Sequence, residues 1–487
     1  TNANTHIHIR NRSPNESTAS ITSTSSSSSS LSSTPTAVTT VTAEDAVAAP
    51  KMAWDGLKEE LKLASVNPEE EQDNDTREPE PLLTFYRDTN GWCPFCERIW
   101  VAIRAKNIPY QERLISLFDK PEWYKELVPT TQVPAVLFHN PTSLSLSNNN
   151  DDNNEPNGNG NASANTNTRK LVWESLDILK ALDDEFPSTP RLVLDTPEYK
   201  AASDQNAKLG TAGIGFVYTT DLSDEEIEEK KATFLKALDE MEDALVASGG
   251  PFRLGEEFTG VDAELVPTLE RWRWQMPLSK GFDILEGRPA MQRWFDAMDE
   301  FTPYSERVAG DAYSWTCTAA MFARYFNKED NPKTQATIER SDAAAARLVE
   351  TFRDVDASEC EARFAFEAAQ KIISNYEAIA NDCTNQNPVS QQHIGRSGNK
   401  ENAETVLQYV TSILLKGDGA IEYAQTSDLR VVGGGKMTDE DKLDAALAAK
   451  TVASRLCVPR DMSAPAAKIL RAVLTIVAER LTTESSV

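Results

Sequence analysis

The chain has 487 residues, which suggests about three domains at roughly 150 residues per domain. Hydrophobic residues make up 40% and charged residues 26%, as in an average globular protein. The 76 acidic and 49 basic residues give a formal charge of -27, which argues against nucleic acid and anionic membrane surfaces as partners. No run of 18 or more apolar residues occurs, so the sequence predicts no membrane span.

The start of the chain is low in complexity. Residues 1–50 are mostly Ser, Thr and Ala and cannot bury enough apolar surface to offset the entropy of ordering. Such acid-poor starts resemble organelle transit peptides, and a solvated disordered tail is the alternative. An amphipathic stretch at 52–64 and an acidic linker at 69–80 follow. We therefore assign residues 1–80 to a disordered tail and linker, in a protein of the cytoplasm or the plastid.

From residue 82 short apolar runs alternate with helical patterns. The first strand, helix and strand form a βαβ unit, which predicts a parallel pair of strands. Residues 141–168 are almost all Asn, Ser, Asp and Gly, and they would form an oversized hairpin loop whose closure costs little extra. The predicted strands cover 82–86, 111–117, 133–138 and 170–173, and the predicted helices cover 94–106, 121–127 and 175–186.

Beyond residue 196 the sequence shows helical patterns and no convincing strand. Thr259 and Asp262 have the spacing of a capping box, in which two side chains satisfy free N–H groups at a helix start. The predicted domains are an α/β domain at 81–190 with a disordered insertion at 141–168, an all-α domain at 196–330 and an α-helical extension at 331–487. The predicted helices cover 224–246, a segment from 259, and 289–301, 341–380, 401–423, 439–453 and 464–481.

The six cysteines are too few for a disulfide scaffold and indicate a reduced, intracellular protein. Two of them lie close together in Trp92-Cys93-Pro94-Phe95-Cys96, between a predicted strand and a predicted helix. The free N–H groups and the positive end of that helix favour a thiolate at Cys93, and Cys96 lies one turn further on. A zinc site would need a second ligand pair, which the four histidines do not supply, so we predict no metal.

A Val-Pro step precedes the third predicted strand. A strand, a CxxC motif, a helix and a later Val-Pro together form a thioredoxin-like pattern. Pro134 is a candidate for a cis peptide bond, which would turn the backbone of Val133 toward the cysteine. An ordinary proline at a strand start is the alternative.

Residues 82 to about 330 resemble a cytosolic-type glutathione transferase, in which a thioredoxin-like domain precedes an all-helical domain. The closest pattern is the cysteine-type group, with the omega, lambda and dehydroascorbate reductase classes. The polar insertion and the long extension depart from that family. The segments that carry the resemblance are Trp92-Cys93-Pro94-Phe95-Cys96, Lys120-Pro121-Glu122-Trp123-Tyr124-Lys125, Val133-Pro134-Ala135 and Glu174-Ser175-Leu176-Asp177-Ile178.

The resemblance implies two catalytic cysteines. Cys93 matches the cysteine that forms a mixed disulfide with glutathione. Cys96 is present in only some of these classes, and it would act as a resolving thiol.

The resemblance also implies a glutathione-binding set. Lys120 matches a lysine at the glycyl end of glutathione, and a solvated surface lysine is the alternative. Val133 matches the residue whose backbone pairs with the cysteinyl part, and Pro134 matches the cis-proline. Glu174 and Ser175 match the pair that binds the γ-glutamyl group, a role compatible with a plain helix N-cap.

The implied function is a glutathione-dependent thiol transferase that uses glutathione as co-substrate and acts on a small disulfide or electrophilic substrate. Deglutathionylation and dehydroascorbate-type reduction are the expected reactions, and a homodimer is compatible with them. A non-catalytic binding or scaffold protein of the same fold is the alternative. Conjugation of electrophiles is a third hypothesis.

The predicted helical domain contains aromatic residues where such proteins place the acceptor pocket. The helical spacing of Trp272, Trp274 and Met276 favours core positions over pocket positions. We expect Arg271 and Arg273 to be solvated.

Overall fold

The computed structural model describes most of the chain between Ala53 and Glu484. The tail at 1–50, the insertion at 141–168 and most of the acidic linker lie outside the described residues, so their predicted disorder stays a prediction. The described residues are 53–65, 80–139, 169–218, 222–326, 331–384, 397–429, 432 and 437–484.

The first domain is built on a four-stranded sheet with the order β2-β1-β3-β4. The β1 and β2 strands are parallel, whereas β3 pairs antiparallel with both β1 and β4. This arrangement confirms the predicted βαβ unit and the hairpin. The strands are β1 (Leu83–Asp88), β2 (Tyr110–Ile115), β3 (Ala135–Phe138) and β4 (Lys170–Trp173).

Helices cover the sheet and then form the second domain. In α2 five successive residues from Ile99 to Ile103 are buried, because this helix lies between the sheet and the helical domain. The first domain contains α2 (Pro94–Ala105), α3 (Glu122–Leu127) and α4 (Ser175–Glu185). The next helices are α5 (Pro197–Val217), α6 (Asp224–Ser248), α7 (Gly260–Ser279), α8 (Pro289–Glu300), α9 (Thr302–Ser305) and α10 (Ala312–Phe326).

The capping box at the start of α7 is confirmed. The carboxylate of Asp262 accepts hydrogen bonds from the backbone N–H and the hydroxyl of Thr259, both at 3.0 Å. The second oxygen of Asp262 accepts one from the indole N–H of Trp294 at 2.9 Å, and the residue is fully buried. The cap therefore ties the start of α7 to α8 in the middle of the domain.

The extension is helical, as predicted, but two of its predicted helices are wrong. The pattern at 341–380 is interrupted, because Asp356 accepts a hydrogen bond from the backbone N–H of Ser358 and starts a 3-10 turn. The pattern at 401–423 is interrupted at Gly417, whose φ of +60° suits glycine. The helices are α11 (Pro332–Glu350), α12 (Ala362–Thr384), α13 (Lys400–Leu414), α14 (Ala420–Thr426), α15 (Asp439–Arg455) and α16 (Ala464–Glu484).

Two large hydrophobic cores contain most of the buried apolar residues of the described chain, and a small third cluster consists of Tyr199, Ala202 and Val261. One core contains buried residues from Leu83 to Ala309, and the other contains Tyr313 and residues beyond it. The division falls earlier than the predicted domain boundary at 330. No described helix is long and apolar enough to cross a membrane.

A helix that precedes the first domain belongs to the second core. The amphipathic stretch forms α1 (Trp54–Ala64), whose Leu57 is 3% exposed within that core. The ring of Trp54 stacks on Tyr376 of α12 with the ring centroids 4.2 Å apart. Residues 54–64 are therefore part of a folded core, which corrects their assignment to a disordered tail.

Candidate active site

Cys93 lies between β1 and α2 as the N-cap residue of α2, and Pro94 takes the first helical position. Its carbonyl accepts hydrogen bonds from the backbone N–H groups of Cys96 and Glu97, both at 3.1 Å. Its sulfur lies 3.8 Å from the carbonyl oxygen of Val133. The thiol therefore faces both a helix N-terminus and the Val-Pro step, as the motif predicted.

The two thiols of the motif have opposite electrostatics. A hydrogen bond from the Cys96 thiol lowers the pKa of Cys93; burial opposes it, and the backbone N–H groups of Cys96 and Phe95 assist it. Burial raises the pKa of Cys96 well above its ordinary value, because this residue is only 1% exposed. The lowered pKa of Cys93 favours its thiolate form, whereas the raised pKa of Cys96 disfavours ionisation of the second thiol.

Asp88, at the end of β1, lies beside the two cysteines, and the sequence analysis did not identify it as a site residue. One carboxylate oxygen and the two sulfurs lie within 4.8 Å of one another. The residue is fully buried, and its Oδ2 accepts a hydrogen bond from the backbone N–H of Trp92 at 2.7 Å. The three groups offer one ligand fewer than a closed structural zinc site needs. An acid at the end of a strand, just before a CxxC loop, was the available signal.

The peptide bond between Val133 and Pro134 is cis, which confirms that interpretation of the motif. Val133 is 9% exposed. Just before it, the carbonyl of Gln132 accepts a hydrogen bond from the hydroxyl of the buried Tyr124 at 2.7 Å. The segment opposite Cys93 is thus held from α3, which leaves the Val133 backbone beside the sulfur.

The predicted γ-glutamyl pair lies at the start of α4. Ser175 is the first residue of α4 and is buried, whereas Glu174 is exposed and has a φ of +72°, which is unusual for a residue with a side chain. The guanidinium of Arg98 in α2 donates a hydrogen bond to the Ser175 hydroxyl at 2.7 Å. Arg98 thus connects the helix of Cys93 with this pair, and no motif indicated it. Lys120 lies half-buried in the turn before α3, and its contact with glutathione stays a prediction.

The expectation that Arg271 is solvated is wrong. Its guanidinium is buried against α2, where it pairs with Glu97 at 2.6 Å and donates to the Trp92 carbonyl at 3.1 Å. Arg273 stays partly exposed beside Asp299 at 3.3 Å.

The prediction that Trp272, Trp274 and Met276 of α7 occupy core positions is confirmed for two of the three. Trp272 is 1% exposed and Met276 is fully buried, so both are core residues. Trp274 is half-buried, and the guanidinium of Arg273 lies 4.9 Å from its ring centroid. The ring of Trp272 also fills the space beside Gly213 in α5, where an added Cβ would lie 1.9 Å from a ring carbon.

Comparisons with known proteins agree with this geometry. Residues 92–185 match the model of the glutathione S-transferase N-terminal domain, and residues 224–297 match that of the C-terminal domain. The glutathione S-transferase DHAR3, chloroplastic, of Arabidopsis thaliana is 25% identical over 208 residues, which is 42% of this chain and 65% of that protein. Glutathione S-transferase L2, chloroplastic, of the same organism is 28% identical over 234 residues, 47% of this chain and 68% of the relative.

Similar solved structures cover about the same part of the chain. The omega 3C glutathione transferase of Trametes versicolor has a TM-score of 0.36 at 22% identity, and the match covers 48% of this chain and 90% of that chain. The dehydroascorbate reductase of Chlamydomonas reinhardtii has a TM-score of 0.34 at 20% identity, with 55% and 98% covered. Residues 92–185 and 224–297 therefore match the two domains of glutathione S-transferases, and the thioredoxin-like sheet and the helices beside it agree with those matches.

Proposed function

We propose that this chain is a glutathione-dependent thiol transferase in which the Cys93 thiolate forms a mixed disulfide with glutathione. The observation that carries the proposal is the position of Cys93 at the start of α2, where the hydrogen bond from Cys96 lowers its pKa. A thiolate at this position attacks disulfides directly. Relatives named as DHAR and lambda-type glutathione S-transferases support the same chemistry.

In the first step the Cys93 thiolate attacks the glutathione sulfur of a mixed disulfide substrate. The bond from Cys93 to that sulfur forms while the substrate sulfur leaves as a thiolate and takes a proton from solvent. A second glutathione thiolate then attacks the bound glutathione sulfur, which releases glutathione disulfide and restores the Cys93 thiolate. Glutathione thus supplies the two electrons that reduce the substrate.

Cys96 offers a second route for resolution. Its thiol would lose a proton and attack the Cys93 sulfur, glutathione would leave as its thiolate, and a Cys93–Cys96 disulfide would remain for two further glutathione molecules to reduce. The burial of Cys96 and its raised pKa disfavour the thiolate that this route requires.

The glutathione-binding set would hold the tripeptide in an extended form across the start of two helices. The Val133 backbone, fixed by cis Pro134, lies beside the thiol and would pair with the cysteinyl part. The free N–H groups at the start of α4, together with Ser175 and Glu174, would take the γ-glutamyl group. Lys120 would pair with the glycyl carboxylate.

Conjugation of electrophiles fits this site less well. A conjugating enzyme stabilises the thiolate of glutathione, whereas a cysteine thiolate in that place reacts with glutathione disulfides itself. A non-catalytic scaffold has no need of a thiol with a lowered pKa. We further propose that the protein works in the cytoplasm or the plastid, since two relatives are named as chloroplastic.

The test is incubation of the full chain with oxidised glutathione, followed by mass spectrometry of the peptide that carries Cys93. The proposal predicts a glutathione adduct on Cys93, and loss of mixed-disulfide reduction in the Cys93→Ser variant. The Cys96→Ser variant should keep the adduct, because the serine hydroxyl can still donate a hydrogen bond to the Cys93 sulfur. Full activity of Cys93→Ser would sink the assignment, and a higher conjugation rate in that variant would favour the third hypothesis.

A further inference from the structure

The short loop before Cys93, residues 89–92, is packed against the C-terminal extension. Gly91 has a φ of +70°, and a Cβ added to it would lie 2.9 Å from the Cγ and 3.1 Å from the Cδ of Pro459. The ring of Pro459 therefore rests directly on the backbone of the loop. Only a residue without a side chain allows this approach, because a methyl group would need the space that the ring occupies.

Pro459 is itself held in place on both sides. Its carbonyl accepts a hydrogen bond from the guanidinium of Arg307 at 2.9 Å. The preceding residue, Val458, donates its backbone N–H to the hydroxyl of the buried Ser314 at 2.9 Å. The carboxylate of Asp461 accepts the backbone N–H of Cys457 at 2.8 Å. The segment 457–461 is thus a fixed surface, and the loop of Gly91 lies on it.

A second residue of the loop contacts α10. The ring of Trp92 meets the ring of Phe322 edge to face, with centroids 5.3 Å apart. Arg271, which donates to the Trp92 carbonyl, lies over the ring of Trp315 at 4.4 Å, so α10 also supports the group that holds the loop. The loop is therefore enclosed by α7, α10 and the segment 457–461.

We propose that Phe322 of α10 and Pro459 of the C-terminal extension are positioning residues for Cys93, so that the extension forms part of the catalytic unit. The matched family domains end at residue 297, which leaves this extension without a role from the family. The extension acts through the loop of Gly91 and Trp92, whose placement sets the angle at which Cys93 meets the N–H groups of α2. Displacements of about 1 Å in such arrangements reduce rates by up to about 100-fold.

The test uses the full chain with Phe322→Ala, Phe322→Leu and Pro459→Ala. The matched control is Pro465→Ala, which changes a proline in the first turn of α16, outside the segment 457–461. Iodoacetamide alkylation of Cys93, followed at the peptide level between pH 5 and pH 10, reports the thiolate directly. We expect the alkylation profile of Cys93 to move to higher pH by about one unit in Phe322→Ala and Pro459→Ala, which slows alkylation up to about tenfold on the acid side of the profile.

Phe322→Leu keeps most of the apolar bulk and should recover part of the alkylation rate. Thermal unfolding of every variant shows whether the fold is intact. If Phe322→Ala unfolds at a much lower temperature than the unmodified chain, Phe322→Leu takes its place. Alkylation rates in all three variants within twofold of Pro465→Ala would overturn the proposal and leave the extension as an attached bundle.

The inference deepens the proposed function but fails separately from it. Alkylation of Cys93 needs no turnover, so a positive result stands even if the chain does not reduce glutathione mixed disulfides. If the chain is active, the same variants should lower kcat and leave the KM for glutathione within twofold, because the loop is not part of the glutathione-binding set. An unchanged kcat in an active enzyme would count against the proposal.

Discussion

Glu97 of α2 and Arg271 of α7 form an ion pair with 2.6 Å between Oε2 and Nη1, and both side chains are buried between the two domains. The same guanidinium donates to the carbonyl of Trp92, the residue before Cys93. The pair therefore connects the helical domain both to the helix that carries Cys93 and to the loop before that helix.

Arg271→Ala should destabilise the fold strongly, because it leaves Glu97 buried without its partner. Removal of one member of a buried ion pair costs about 3–5 kcal/mol. Arg273→Ala is the matched control, since Arg273 lies two residues further along the same helix and pairs with the exposed Asp299. That variant should lose less than about 1 kcal/mol. Urea unfolding of both variants checks this prediction, and equal losses would contradict it.

Cys96→Ala should raise the pKa of Cys93. The hydrogen bond from the Cys96 thiol is the largest cause that lowers this pKa, and the substitution removes it. A higher pKa means less thiolate at any pH below it, so the alkylation profile of Cys93 should move to higher pH and its rate at pH 7 should fall.

Cys457 serves as an internal reference in the same experiment. Burial raises its pKa to about 11, so it should react slowly at pH 7 in every variant. A profile of Cys93 that moves to lower pH in Cys96→Ala, or stays in place, would count against the stated cause.

Arg98→Gln should weaken binding of glutathione more than it slows the chemical step. The substitution removes the hydrogen bond from the guanidinium to Ser175, which lies where the γ-glutamyl group is expected. Loss of a hydrogen bond to a charged group costs about 1.5–3 kcal/mol of stability, and the part of this loss that misplaces Ser175 should appear as a higher KM for glutathione. The kcat should change much less.

Arg113→Gln, on the exposed side of β2, is the control for the loss of one positive charge. A KM in Arg98→Gln that equals the KM of this control would show that Arg98 does not support the γ-glutamyl site.

Leu57→Ala should show that α1 stabilises the extension. Leu57 is 3% exposed in the second core, whereas Leu63 on the same helix is 76% exposed. Truncation of a buried leucine costs about 2–5 kcal/mol. Leu63→Ala should be within about 0.5 kcal/mol of the unmodified chain. Thermal unfolding of the pair measures the difference, and equal midpoints would place α1 outside the cooperative unit.

The elements that could be predicted from sequence are those with a strong local pattern. The strand, loop and helix around Cys93 were recognisable because a short apolar run, the CxxC spacing and Pro94 all act within a few residues. The helix boundaries in the extension were harder to predict from sequence. The turn at Asp356 lies inside a continuous apolar periodicity, which conceals a change of direction.

Other features depend on contacts between distant segments. Arg271 appears as an ordinary charge in an aromatic run, and nothing local shows that Glu97 meets it. Arg98 likewise shows no sign of its contact with Ser175. Periodicity reports whether a side chain is buried, but it does not identify the partner, because the partner comes from the packing of whole helices.

By itself the sequence determined that a thiol lies at a helix start and that a Val-Pro step follows before a strand, since short-range patterns specify the order of these elements. The γ-glutamyl pair was predicted from the family resemblance, and the cis peptide bond was one of two alternatives. Only the tertiary structure decided how that thiol is supported. It brought Asp88 beside the two cysteines and placed Pro459 of the extension on Gly91. Such contacts join segments that are far apart in the chain, and they form only when the buried faces of the helices pack together.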